Sequence, residues 1–61
     1  MEARITVKMD NAAFEDENGE ELARILRRAA DYVEGYAYLK PGVELSLRDI
    51  NGNQVGRLTI K

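Results

Sequence analysis

The spacing of apolar residues changes period twice along this chain, from two to about 3.6 and back to two, and nothing else narrows its possible folds as far. From Arg4 to Lys8 polar and apolar residues alternate, with Ile5, Val7 and Met9 on one side and Arg4, Thr6 and Lys8 on the other. That is the pattern of a half-buried strand, predicted over residues 3–9. Leu22, Ile25, Leu26, Ala29 and Val33 then recur every three or four positions and predict a helix over residues 19–34, with this stripe against a sheet. Asn18 and Glu21 have the spacing of a capping box, and Gly35 is expected to close the helix in the left-handed conformation.

Past the Pro41-Gly42 connector the period returns to two, predicting strands over residues 43–50 and 53–60. Between them Asn51-Gly52 favours a two-residue type I′ turn. With that turn Leu45 faces Leu58, Val43 faces Ile60 and Leu47 faces Gly56, so the apolar residues share one side while Val55, Arg57 and Thr59 take the other. A four-residue loop keeps the same phase but opposes Arg48 to Arg57, which like-charge repulsion disfavours. A right-handed crossover brings the second strand parallel to the first, and placing the third between them makes every neighbouring pair antiparallel. The expectation is a single α+β domain over residues 1–61 of β-α-β-β order, with a three-stranded antiparallel sheet ordered 2-3-1 and one helix packed on one face.

A domain of 61 residues buries a thin core, and chains this small usually lean on a disulfide, a metal or a partner subunit. Cysteine and histidine are both absent, so a homodimer is the expected support. No apolar run approaches the roughly 18 residues of a membrane span, and Met1-Glu2-Ala3-Arg4 leads into a strand instead of a signal-peptide core. The expected setting is cytoplasmic, with no membrane partner.

Residues that carry chemistry are scarce. There is no histidine, cysteine, tryptophan or glycine-rich phosphate loop, and no cofactor is expected. Most carboxylates lie between Asp10 and Glu21, where a solvated loop and helix start account for them. Asp16-Glu17-Asn18-Gly19 and Asp49-Ile50-Asn51-Gly52 fail as calcium loops, because Phe14 and Leu47 stand where the first oxygen ligand is needed. The pattern is that of a non-enzymatic protein without a metal site.

Two surface features remain. The sheet face away from the helix collects Arg4, Lys8, Arg48, Arg57 and Lys61, with Thr6 among them, against Glu44 alone on the strands. Such a face is solvated, meets a protein, or meets nucleic acid or a nucleotide, although the aromatics that stack bases are missing. Tyr32, Tyr36 and Tyr38 gather at the helix end and connector, where they either close the core or anchor an interface.

Asp10-Asn11-Ala12-Ala13-Phe14, Ala23-Arg24-Ile25-Leu26-Arg27 and Arg48-Asp49-Ile50-Asn51-Gly52-Asn53-Gln54-Val55-Gly56 together give a chain that resembles a family of small proteins encoded by tailed bacteriophages and prophages. The resemblance implies a setting inside an infected bacterium and brings no catalytic or binding residue with it. Proteins of that setting often bind or inhibit a host protein, defence components included. The leading expectation is a non-enzymatic protein-interaction module, a homodimer that meets a host protein, with nucleic-acid or nucleotide binding through the basic sheet face as the alternative.

Overall fold

A computed structural model describes residues 1–61 and has the β-α-β-β order that the periodicity predicts. Strand β1 spans Ala3–Val7, a 3-10 turn Ala12–Phe14, helix α1 Asn18–Glu34, strand β2 Glu44–Arg48 and strand β3 Gln54–Ile60. The sheet is ordered β1-β3-β2 with both neighbouring pairs antiparallel, so the last strand in sequence is the central one. Regular pairing ends sooner than the alternation suggests. Lys8 still donates its N–H to Val55 O at 2.8 Å, but Met9 lies beyond the strand and is exposed.

The register sorts the side chains into two faces. Ile5, Leu58 and Leu45 lie in one row beneath the helix, with Val7, Gly56 and Leu47 in the next. Arg4, Thr59 and Glu44, then Thr6, Arg57 and Ser46, form rows on the open face. The core consists of Phe14, Ile25, Ala29, Leu47, Val55, Leu58 and Ile60, and Leu39 and Val43 pack against it.

The hairpin keeps the predicted Leu45–Leu58 and Leu47–Gly56 pairs but not the predicted turn. A type I′ turn needs two left-handed residues, and here only Gly52 is left-handed, with φ of 87°. Gly52 N–H bonds Asp49 O at 3.0 Å and Asp49 N–H bonds Asn53 O at 2.9 Å, which makes a three-residue loop, Ile50 to Gly52. The shorter ladder beyond the loop opposes Arg48 to Gln54 and leaves Val55 as an extra residue between that pair and Leu47–Gly56. This bulge turns Val55 inward, so it joins the core instead of the open face.

Gly56 is required by proximity. A Cβ there would stand 2.0 Å from Thr6 O and 2.9 Å from Val7 Cα, both of them backbone. The Pro41-Gly42 turn is closed by Val43 N–H to Lys40 O at 3.3 Å, with Gly42 at φ 102°, as a type II turn demands.

The helix also departs from expectation at both ends. Its N-cap is Glu17, left-handed at φ 47° and making no side-chain cap bond, so the Asn18–Glu21 capping box does not form. Gly35 is right-handed at φ −70°, and the last turn tightens through Gly35 N–H to Tyr32 O and Tyr36 N–H to Val33 O. The buried stripe is Glu21, Ile25 and Ala29, while Leu26 at its flank is 39% exposed.

Candidate functional site

The 3-10 turn, the helix and the hairpin loop meet at one polar cluster. Asn11 uses both ends of its amide: Oδ1 accepts from Ala13 N–H at 3.1 Å, and Nδ2 donates to Asp49 Oδ2 at 2.7 Å. Asp49 Oδ1 accepts from the N–H groups of Asn51 and Asn53, each at 2.9 Å. From the helix, Glu21 Oε2 accepts from Ile50 N–H at 2.8 Å, and Glu21 Oε1 accepts from Arg24 Nε at 2.7 Å. Arg24 Nη2 then donates to Arg48 O at 3.1 Å.

Glu21 and Asp49 are the two buried charged residues, and both are held ionised. The Arg24 hydrogen bond lowers the Glu21 carboxyl, and against the opposing effect of desolvation the Ile50 N–H adds to that lowering. Desolvation pushes Asp49 upward, but hydrogen bonds from Asn53, Asn11 and Asn51 together outweigh it and hold the carboxyl below its usual range. No buried side-chain nitrogen or oxygen lacks a partner, so the cluster is a satisfied brace between helix and hairpin. Most carboxylates of the acidic stretch were expected to serve a solvated loop and helix start; Glu21 is instead buried in the brace.

The open face is less basic than its sequence count. Arg4, Thr6 and Arg57 do share it, with Arg57 in the row between Thr6 and Ser46. Lys8 and Lys61 stand just past the ends of β1 and β3. Glu2, whose N–H and C=O pair with Lys61, adds a second acid and bridges Arg4 at 2.6 Å, while Glu44 lies 3.9 Å from Arg57. Arg48 turns to the loop, donating to Gly52 O at 3.0 Å. A shallow depression of about 480 Å³ lies between Lys8, Asp10, Gln54 and Arg57.

The tyrosines separate. Tyr32 and Tyr36 form a tilted pair with ring centroids 5.6 Å apart and hydroxyls 3.3 Å apart, and that hydrogen bond raises the Tyr36 phenol above its ordinary value. Both remain exposed, and Tyr38 is 83% exposed, so none of the three is buried in the core.

The two sheet edges differ in what lies over them. Glu2 exchanges both backbone bonds with Lys61, and Lys8 donates to Val55 O, so the even-numbered residues of β1 bond to β3. The N–H and C=O groups of Ala3, Ile5 and Val7 therefore point to the free edge. On β2, Ile60 N–H to Val43 O sets the opposite parity, and Glu44, Ser46 and Arg48 face outward. Arg24 occupies the Arg48 carbonyl there, and Arg24, Arg28 and Tyr32 line a groove of about 430 Å³ along that edge. Because Arg24 and Arg28 mark the helix flank facing β2, Leu26 stands on the other flank. Ile5, on the helix side of β1, is 48% exposed.

Sequence patterning missed the Glu21–Asp49 brace and the bare helix side of β1. The first had one local signal, since aspartate first and glycine fourth in Asp49-Ile50-Asn51-Gly52 suits a type I turn. No helix is long and apolar enough to cross a membrane. No protein-family model, no curated protein and no solved structure matches this chain.

Proposed function

We propose that this chain is a non-enzymatic protein-interaction module that acts as a homodimer and, in the phage setting its sequence resemblance implies, binds a host protein inside the bacterial cell. The observation that carries this reading is the incomplete cover of the sheet. One helix packs over one face, the other face is open across all three strands, and Ile5 and Leu26 remain exposed on the covered side. The two buried carboxylates, Glu21 and Asp49, are spent on the brace, where each is hydrogen-bonded and ionised. That arrangement supplies rigidity to a binding surface more readily than a proton to a substrate.

Affinity capture from a bacterial host lysate, followed by mass spectrometry, tests the partner. A host protein should be enriched by the native chain and lost with Arg57→Glu, which reverses the central charge of the open face. Equal recovery by both proteins would exclude that face as the contact.

Nucleic-acid or nucleotide binding is the second reading, and the depression beside Lys8 and Arg57 is the observation in its favour. It predicts retention of labelled DNA or RNA that weakens steeply with salt. Absence of retention at low salt, together with no thermal shift from a nucleotide panel, removes it.

A further inference from the structure

We infer that two copies of this chain join along β1, antiparallel, with Ile5 on the two-fold axis, so that two three-stranded sheets become one continuous sheet carrying both helices on the same side. The inference rests on the homodimer reading above and specifies its interface. Its first support is the backbone. Ala3, Ile5 and Val7 present their N–H and C=O groups to the free edge, an unpaired row that templates another strand. Antiparallel pairing about Ile5 sets Ile5 against the partner's Ile5 and Ala3 against the partner's Val7. Every one of those outward-facing groups then gains a hydrogen bond.

The second support is charge. The same register sets Glu2 opposite the partner's Lys8, and Lys8 opposite the partner's Glu2, on the open face. Arg4 falls opposite the partner's Thr6. Sliding one strand by two residues in one direction opposes Arg4 to the partner's Arg4, and in the other direction opposes Arg4 to the partner's Lys8. Like charges directly opposed are destabilising, so the neighbouring registers that keep the hydrogen-bond phase are disfavoured.

The third support is the apolar surface left over. Ile5, 48% exposed in the single chain, would meet its copy on the axis and be covered there. The opposite edge offers no such gain. Leu47 on β2 is already buried, and Arg24 already fills the Arg48 carbonyl. An isologous contact of this kind closes at two copies and does not propagate into a filament.

The chain has no cysteine, so single-cysteine variants report the geometry directly. Hydrogen-bonded antiparallel partners have Cα atoms about 5.5 Å apart, within disulfide range. Ile5→Cys should give a covalent dimer under mild oxidation, whereas Ser46→Cys on β2 should not. By light scattering and sedimentation, Lys8→Glu should raise the dimer dissociation constant about tenfold, since it opposes two acids at both symmetric positions. Adding Glu2→Lys to Lys8→Glu should restore it, with circular dichroism showing that each variant is folded. A native dimer in which Ile5→Cys cross-links no better than Ser46→Cys, and in which the charge swap has no effect, overturns this interface and leaves the homodimer reading standing. A native chain that is monomeric at concentrations on the order of tens of micromolar overturns both.

Discussion

The two edges of this sheet have the same length and opposite treatment. β2 and β1 are five residues each, and both leave a row of backbone groups unpaired by β3. Along β2 the helix lies close, Arg24 caps the Arg48 carbonyl, and the hairpin loop is tied down by Asp49 and Glu21. Along β1 the helix packs less closely than along β2, and Ile5 stands half exposed. Exposed edges invite pairing with another chain, and proteins ordinarily blunt them with cover, charge or irregularity. Here the β2 edge has the helix beside it and Arg24 on its Arg48 carbonyl, whereas the helix side of β1 leaves Ile5 half exposed. The difference teaches that the polar brace and the candidate interface are two sides of one arrangement: the helix leans toward β2 to make the brace, and that lean uncovers β1.

The largest expected effect removes the comparison altogether. Gly56→Ala forces a methyl into the Thr6 and Val7 backbone, separating β1 from β3, and should cost more than about 3 kcal/mol by urea unfolding. A loss below about 1 kcal/mol would contradict the close approach. Next, Asp49→Ala strips the hairpin of its central acceptor and should lower the thermal midpoint on the order of 10 °C. It should also open the Asn51 and Asn53 amides to hydrogen exchange while those of Arg4 and Thr6 keep their protection relative to the global rate.

Acid should act on the same side. The folded Glu21 and Asp49 carboxyls lie below their unfolded values, so their contribution is present above about pH 4 and is lost as pH falls through the depressed folded values. The urea midpoint should therefore drop on acidification, and a Glu21→Gln, Asp49→Asn double variant should show a flatter profile over that window. An unchanged profile would mean that other groups govern the acid response. The smallest effect lies at the helix start, which serves the brace without touching either edge. Glu17→Gly relieves a left-handed non-glycine residue and should raise stability by about 0.5–1 kcal/mol.

What the sequence disclosed followed from the range of the interaction concerned. Strand and helix periods are local, and they placed the four elements. The crossover rule gave the antiparallel order, and the Leu45–Leu58 register, expected from a two-residue turn, is kept because the Val55 bulge offsets the three-residue loop. Asn51-Gly52 marks a turn correctly, but the choice of turn was made by the Asp49 side chain, which bonds Asn53 nearby and Asn11 far along the chain. Glu21 fits a capping box on spacing alone, yet the Ile50 N–H, 29 residues away, is the partner it takes. Val55 alternates with Gly56 in sequence and faces the core because a bulge intervenes. Alternation likewise assigns Ile5 to the helix side without revealing how far across the sheet the helix reaches. The basic face was legible as a set of positions, whereas Arg48's turn toward Gly52 and the Glu2 bridge to Arg4 are tertiary and side-chain details that no period records.

The position of β3 has a consequence for how the molecule is made. It is synthesised after β1 and β2 and is the one of the three that touches both others, with Lys61 bonded back to Glu2. Until it leaves the ribosome, β1 and β2 have no partner within the chain, and the helix has no sheet to cover. Assembly must therefore occur late and nearly at once, governed by contacts distant in sequence. During that interval β1, made before β2, waits the longer of the two. The edge that later remains open in the folded domain is thus also the segment most in need of protection while the chain is growing.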